Sequence, residues 1–125
     1  MTYSKPHTAS SYYFGITISC YQGDLPLLKG CLESIRANLP VDLPICLIVD
    51  GEMPLGDLIQ TYGLIVLTES EVDPHLRKKS YGYGLTKMVA FWHSPFEHFL
   101  HIEADAVCWG DVSKTLPWMD FDFIN

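Results

Sequence analysis

A continuous apolar run constrains the fold of this chain more than any other feature. It covers Pro44-Ile45-Cys46-Leu47-Ile48-Val49 and ends at Asp50-Gly51. An apolar strand without polar alternation is typical of a parallel sheet that is covered on both faces. Parallel strands need a long crossover connection, which is usually a helix. The run therefore predicts an α/β fold with helices in the connections between strands.

The segments around this run fit the same plan. Tyr12 to Cys20 is rich in aromatic and β-branched residues, which favour a strand. We expect Asp24 to cap the following helix, whose apolar residues recur at helical spacing: Leu28, Cys31, Leu32, Ile35 and Leu39. A short helix is expected around Leu55 to Tyr62, and a third strand at Leu64 to Leu67. Repeated strand–helix–strand units predict a Rossmann-like three-layer α/β/α fold with a mostly parallel sheet.

The next part of the chain divides into a polar stretch, a helix and a fourth strand. Thr68 to Gly84 is polar and is expected to be a loop, and loops of this length in compact domains are more often functional than idle. Leu85 to His93 is predicted to be a helix, with its apolar side formed by Leu85, Met88, Val89 and Trp92. The fourth strand runs through Ile102 into Glu103-Ala104-Asp105.

Length and composition limit the kinds of protein this can be. We expect a polar lead-in over residues 1–11 and one domain over residues 12–125, truncated at its C-terminal side because it ends in apolar, aromatic sequence. The 15 acidic and 8 basic residues give a net charge of -7, which argues against nucleic acid or an anionic membrane as the main partner. The four cysteines form no C-x-x-C pair and no apolar run reaches membrane-spanning length, so we expect a cytoplasmic protein that does not span a membrane.

Two carboxylates follow the fourth strand with one residue between them. Glu103 and Asp105 are expected at the carboxyl end of the sheet, where open α/β sheets bind ligands. Such a pair can hold a hard divalent cation, which prefers oxygen ligands and bridges to substrate phosphates. Alternatively, the pair is a solvated strand end. His101 shares a strand face with Glu103. We expect it to be a hydrogen-bonded strand histidine, with a metal ligand as the alternative.

The order of these features resembles the nucleotide-binding half of the GT-A glycosyltransferases. The residues that carry the likeness are Ile16 to Tyr21, Ile48 to Gly51, Lys87 to Glu97 and Ile102 to Val107, and the likeness covers about residues 13 to 115. In that family an Asp-x-Asp motif closes the equivalent strand and holds Mn²⁺ or Mg²⁺ against the diphosphate of a nucleotide sugar. The resemblance implies a GT-A-like nucleotide-sugar-binding domain and a glycosyltransferase that uses a UDP- or GDP-sugar and an unknown acceptor.

The resemblance also implies roles for individual residues. The nucleotide-binding set would be Ser19, Cys20, Tyr21, Asp50, Lys87 and Glu103. Glu103 and Asp105 would be the metal ligands, with Asp105 favoured as the direct ligand and with Glu103 replacing the first Asp of the motif. Arg77, Lys78 and Lys79 would join Lys87 in stabilising the charge of the leaving diphosphate. The alternative for Arg77, Lys78 and Lys79 is an ordinary solvated loop. For Lys87 it is a surface helix residue, and for Asp50 a turn residue at the strand end before Gly51.

The general base and the reaction itself are left open by the sequence. Transfer with inversion needs a general base for the proton of the acceptor, and in this fold the base usually comes from the later, acceptor-binding half. Activity of this chain alone is therefore left open. Two other functions stay open: a non-catalytic α/β interaction or regulatory module, and a sugar nucleotidyltransferase. The second is disfavoured because Tyr21-Gln22-Gly23-Asp24 lacks a Gly-rich phosphate loop with a basic residue.

Overall fold

The computed structural model describes residues 12–40, 42–81 and 86–110 of the chain. Its strands are β1 (Tyr12–Tyr21), β2 (Ile45–Asp50), β3 (Leu64–Leu67) and β4 (Phe96–Glu103). Its α-helices are α1 (Leu25–Asn38), α2 (Leu58–Tyr62), α3 (Pro74–Ser80) and α4 (Val89–His93). Single turns of 3-10 helix lie at Gln22–Asp24, Glu69–Glu71 and Thr86–Met88.

The four strands form one sheet in the order β3-β2-β1-β4, and every pairing is parallel. The α/β class and the parallel sheet predicted from the sequence are therefore confirmed, and the arrangement is compatible with a Rossmann-like fold. The chain leaves β1 toward β2 and β3 and returns to the other side of β1 as β4. Such a reversal opens a crevice at the carboxyl ends of the strands, which is where ligands bind in open α/β sheets.

Burial on both faces explains why the sequence of strand β2 is apolar throughout. Ile45, Leu47 and Val49 pack in a cluster with the buried side of α1. Cys46 and Ile48 belong to a second cluster, which includes Val89 of α4. Alternate residues of a strand face opposite sides, so β2 is buried on both. The helical spacing predicted for α1 is also confirmed, since its buried residues are Leu28, Cys31, Leu32 and Ile35.

The polar stretch from Thr68 to Gly84 is not a loop throughout, because α3 occupies Pro74–Ser80. The Asp73 side chain caps this helix by accepting hydrogen bonds from the backbone N–H groups of His75 and Leu76, at 3.0 and 3.3 Å. Asp before Pro is a strong helix start signal, because the carboxylate satisfies free N–H groups and proline suits the first turn. Here local capping outweighs the polar composition.

Two helix predictions were wrong in detail. Asp24 lies at the position before α1, at the end of a 3-10 turn, but its side chain makes no capping hydrogen bond. The segment predicted as a helix from Leu85 to His93 is a 3-10 turn followed by the short helix α4. Its buried residues include Val89, Ala90 and His93, whereas Met88 and Trp92 are 37% and 44% exposed. Leu85 lies outside the described residues.

The described part of the chain contains no helix with the length and apolar character needed to cross a membrane. All four cysteines are free thiols, and Cys20, Cys31 and Cys46 are buried, as expected for small core residues. The lead-in over residues 1–11 and the apolar end of the chain lie outside the described residues.

Candidate ligand-binding cleft

A cleft of about 580 Å³ opens at the carboxyl edge of the sheet. Its described lining comes from the ends of β1, β2 and β4, from the turns next to them and from the turn before α4. The lining residues are Ser19, Tyr21, Gln22, Asp24, Asp50, Gly51, Thr86, Lys87 and Glu103. The cleft lies where the strand order reverses, and its volume is in the range of small-molecule sites.

Five of the six residues predicted to bind a nucleotide line this one cleft: Ser19, Tyr21, Asp50, Lys87 and Glu103. The sixth, Cys20, is 1% exposed and packs in the cluster with α1. Side chains alternate along a strand, so Cys20 faces away from the side of the sheet that carries Ser19. Burial, with a smaller contribution from Asp24, raises the pKa of the Cys20 thiol to about 11. Cys20 is therefore a core thiol, and the structure does not bring it to the cleft.

A row of four polar side chains leads from the interior of the sheet into the cleft. Thr17 and Ser19 of β1 lie beside His101 and Glu103 of β4, their partners in the strand pairing. Thr17 Oγ1 is 2.9 Å from His101 Nδ1, and Ser19 Oγ is 3.2 Å from His101 Nε2 and 3.1 Å from Glu103 Oε2. Thr17 is fully buried, whereas the Glu103 side chain is 49% exposed. We call these four residues the polar row.

The carboxylate of Glu103 has two cationic or potentially cationic neighbours. Lys87 Nζ and His101 Nε2 each lie 3.9 Å from its Oε1. The Lys87 and Glu103 side chains are about half exposed, so solvent screens this pair. Burial lowers the pKa of His101, the Glu103 charge opposes that shift, and the Lys87 charge adds to it. The imidazole therefore favours its neutral form, as a hydrogen-bonded histidine within the sheet.

The structure separates Asp105 from Glu103. Strand β4 ends at Glu103, and the Ala106 N–H donates to the Glu103 carbonyl oxygen at 3.0 Å, which closes a turn. Ala104 is buried inside this turn, while Asp105 is exposed and is not among the described residues that line the cleft. Alternation puts residues i and i+2 on one face only while a strand continues. The predicted carboxylate pair therefore contributes Glu103 to the cleft.

Of the two predicted metal ligands, Glu103 is the one that lines the cleft. The described residues contain no group of three or more His, Cys, Asp or Glu side chains placed to hold a metal ion. The Glu103 carboxylate has the right chemistry, because Mg²⁺ and Mn²⁺ prefer oxygen ligands. The other ligands would have to come from water and from the oxygen atoms of a bound phosphate, as is usual for Mg²⁺ at phosphate sites.

The predicted cationic residues do not all reach the cleft. Among the described lining residues Lys87 carries the positive charge, while the carboxylates are Asp24, Asp50 and Glu103. Arg77 lies on α3, where its Nη1 donates to the Glu69 carbonyl oxygen at 3.5 Å, and Lys78 is exposed on the same helix. The side chain of Lys79 lies outside the described residues. The cleft is acidic on balance, with three carboxylates and one lysine.

Four lining residues were not predicted as ligand contacts: Gln22, Asp24, Gly51 and Thr86. Gln22 and Gly51 directly follow strand ends, so their position in the sequence could have identified them. Gly23 does not line the cleft, but it lies against a residue that does. A Cβ atom at Gly23 would lie 2.4 Å from Cε2 of the Tyr21 ring, so the glycine makes room for the tyrosine. The Tyr21 side chain, 55% exposed, presents its ring at the cleft.

Comparisons of the chain with protein-family models, with curated proteins and with solved structures give no match. The features that bear on function are those of the cleft: its place in the fold, its lining side chains and their charges. The likeness to GT-A glycosyltransferases remains a prediction from the sequence.

Proposed function

We propose that the cleft binds a nucleotide-diphospho-sugar, and that the chain is the donor-binding part of a glycosyltransferase with a three-layer, GT-A-like fold. The observation that carries this proposal is the convergence of Ser19, Tyr21, Asp50, Lys87 and Glu103 on one cleft. These residues come from three different strand ends and one turn. Alternate residues of β2 belong to two different apolar clusters, one on each face of the sheet, and this supports the three-layer arrangement.

The charge of the cleft supports a role for Mn²⁺ or Mg²⁺ in donor binding. Three carboxylates and one lysine repel an isolated diphosphate, because like charges in a partly enclosed site interact strongly. A divalent cation offsets this repulsion by bridging carboxylate and phosphate oxygen atoms. In this proposal Glu103 is the protein ligand that the cleft favours. Asp105 stays a predicted second ligand, which the turn after β4 disfavours.

The other lining residues suit a nucleoside diphosphate. Lys87 is positioned to neutralise charge that develops on a leaving diphosphate. The exposed ring of Tyr21 offers an apolar surface on which a base can stack. Asp50 and Ser19 provide hydrogen-bonding groups for the hydroxyls or the base. None of the described residues is assigned to acceptor binding or to the general base.

The test compares three carboxylate variants in calorimetric titrations with UDP and GDP in the presence of MnCl₂. Glu103→Gln is expected to weaken metal-dependent binding by about tenfold or more, equivalent to about 1.4 kcal/mol for each factor of ten. Asp105→Asn is expected to have a smaller effect. Glu97→Gln is the matched control, because Glu97 is exposed at the opposite end of the same strand.

The outcome that would contradict the proposal is unchanged affinity in Glu103→Gln. Circular dichroism establishes that each variant is folded, so that loss of structure is not mistaken for loss of a ligand contact. A Glu97→Gln variant that loses as much affinity as Glu103→Gln would show that the effect comes from overall charge. Either result would show that Glu103 is not a specific ligand contact in the cleft.

A second candidate function is a non-catalytic interaction or regulatory module. The observation that favours it is the aromatic surface of α4, where Phe91 and Trp92 are 45% and 44% exposed. Nucleotide binding that is indifferent to metal, together with a stable protein complex, would favour this module. The sugar nucleotidyltransferase stays disfavoured, because β1 leads into α1 through the short turn Gln22–Asp24. Its signature would be release of pyrophosphate from a nucleoside triphosphate and a sugar phosphate.

A further inference from the structure

We infer that His101 is a positioning residue for Glu103, and that it acts through Ser19 by donating a hydrogen bond from Nε2. The inference rests on the proposed function, because it explains how the carboxylate of Glu103 is held ready for a ligand. It depends on the three hydrogen bonds of the polar row.

The donor and acceptor of each hydrogen bond follow from the Glu103 carboxylate, which is the member of the polar row that lies in the cleft. An ionised carboxylate can only accept, so the Ser19 hydroxyl donates to Glu103 Oε2. The Ser19 oxygen must then accept from His101, which places a hydrogen on Nε2. A neutral imidazole has one N–H group, so Nδ1 accepts from the Thr17 hydroxyl. One consistent direction, from Thr17 to Glu103, satisfies all three contacts.

The other neutral tautomer does not satisfy the polar row. With its hydrogen on Nδ1, His101 would present a bare Nε2 to Ser19. The single hydroxyl hydrogen of Ser19 would then have two acceptors, Nε2 and Glu103 Oε2, and one of them would be left without a donor. With Ser19 donating to Glu103, the unpartnered group would be Nε2 of His101, whose side chain is 20% exposed, and a largely buried polar atom without a partner is costly. The geometry therefore selects the Nε2–H tautomer.

The consequence is a defined orientation for the carboxylate. Ser19 holds Oε2 at 3.1 Å, which leaves Oε1 as the oxygen that faces Lys87 at 3.9 Å. Glu103 is otherwise half exposed and would sample several rotamers. His101 is mostly buried, with 20% of its side chain exposed, and so anchors the mobile residue to the rigid sheet. Loss of a group that orients a metal ligand in this way typically costs about 10- to 100-fold in metal affinity.

The experiment combines a spectroscopic readout with a binding readout on the full chain. Long-range ¹H–¹⁵N NMR correlations are expected to show His101 with a protonated Nε2 and a bare Nδ1, and His101→Leu identifies its signals. With MnCl₂ and the better-bound of UDP and GDP, His101→Leu is expected to weaken binding by about 10- to 100-fold. His101→Gln is expected to restore most of the affinity, because its amide N–H can donate to Ser19 as Nε2–H does.

Thr17→Val keeps the inference testable if His101→Leu does not fold. Valine has nearly the shape of threonine and removes the hydroxyl that donates to Nδ1. The variant is expected to keep the hydrogen on Nε2, because Ser19 still accepts from it, and to shift the Nδ1 resonance, because that nitrogen loses its donor. An unchanged Nδ1 resonance would overturn the proposed direction.

The two readouts separate this inference from the proposed function. Absence of UDP and GDP binding by the folded wild-type chain would contradict the proposed function, while the imidazole spectrum would still decide the tautomer. A wild-type spectrum with the hydrogen on Nδ1 would overturn the inference. So would a folded His101→Leu variant that binds the nucleotide as tightly as wild type.

Discussion

The two faces of the central strand β1 bury different kinds of side chain. On the face toward α1, Ile16 and Ile18 are fully buried against an apolar cluster that includes Leu32. On the other face the same strand places Thr17 and Ser19, which hydrogen-bond with residues of β4 and lead into the cleft. The backbone is shared, so the difference lies in the side chains. One face stabilises the fold, and the other uses buried positions to organise a polar site.

The largest expected effect tests the face toward α1. Leu32 is fully buried, and Leu32→Ala is expected to lower the free energy of unfolding by about 2–5 kcal/mol, because it removes buried surface and leaves a cavity. Leu27→Ala on the same helix is the matched control, since Leu27 is 52% exposed. Urea denaturation measures both. Equal losses in the two variants would contradict the packing of Leu32 in the apolar cluster of this face.

Two glycine-to-alanine substitutions test packing on the other face of β1. One is expected to lower the free energy of unfolding, and the control is expected to raise it. A Cβ at Gly15 would lie 2.5 Å from Cζ of the fully buried Phe96 ring, so Gly15→Ala is expected to cost about 1–3 kcal/mol by overpacking. A Cβ at Gly30 of α1 would meet nothing within 4 Å. Gly30→Ala is therefore expected to add about 0.5–1 kcal/mol, because alanine favours the helix. Thermal unfolding that ranks the two variants in the reverse order would contradict this account.

The pH dependence of stability tests the buried imidazole of the polar row. Burial lowers the pKa of His101 in the folded protein, with Glu103 opposing and Lys87 adding to the shift. Below about pH 6.5 the unfolded chain therefore binds this proton more readily than the folded protein does. The free energy of unfolding is expected to fall as the pH drops from about 6.5 toward the lowered pKa. Above that range the contribution of His101 to the free energy of unfolding is expected to stay constant.

His101→Gln isolates this contribution from that of the other histidines. The variant lacks the titrating group, so its unfolding free energy is expected to fall less than that of wild type between neutral pH and about pH 5. Urea denaturation at a series of pH values, without added metal, makes the comparison. A constant difference between the two proteins across this range would contradict the depressed pKa.

The smallest effect on stability is expected for two surface lysines, and only one of them is expected to affect nucleotide binding. Lys87 and Lys29 each lie near a glutamate, at 3.9 Å from Glu103 and 4.0 Å from Glu33, and all four side chains are about half exposed or more. Replacing either lysine with alanine is expected to change stability by less than about 1 kcal/mol. We expect Lys87→Ala alone to weaken nucleotide binding, as measured by calorimetry. Equal nucleotide affinities in the two variants would exclude Lys87 from the site.

Much of the fold could be predicted because its causes are local. The unbroken apolar run of β2 has to be covered on both sides, and the spacing of Leu28, Leu32 and Ile35 defines the buried side of α1. The start of α3 was missed although Asp73 before Pro74 is a local signal, because the polar composition of the segment was given more weight.

The site was predictable as far as it follows from strand ends. Parallel strands place Ser19 and Glu103 side by side, and the register pairs these two residues. The position of Asp105 could not be derived in this way, since it depends on the turn that buries Ala104. The side chain of Cys20 was assigned to the cleft from its neighbours, whereas strand alternation places it on the other face. Contacts between distant segments, such as Lys87 with Glu103, needed the structure.

The most direct test of the account is a calorimetric titration of the purified chain with UDP and with GDP, each with and without MnCl₂. The account predicts that one nucleotide binds and that its binding depends on the metal, because an acidic cleft needs a cation to accept a diphosphate. Circular dichroism on the same sample establishes that the protein is folded. Absence of binding by the folded chain, or binding that is unchanged when the metal is removed with EDTA, would contradict the proposed donor site.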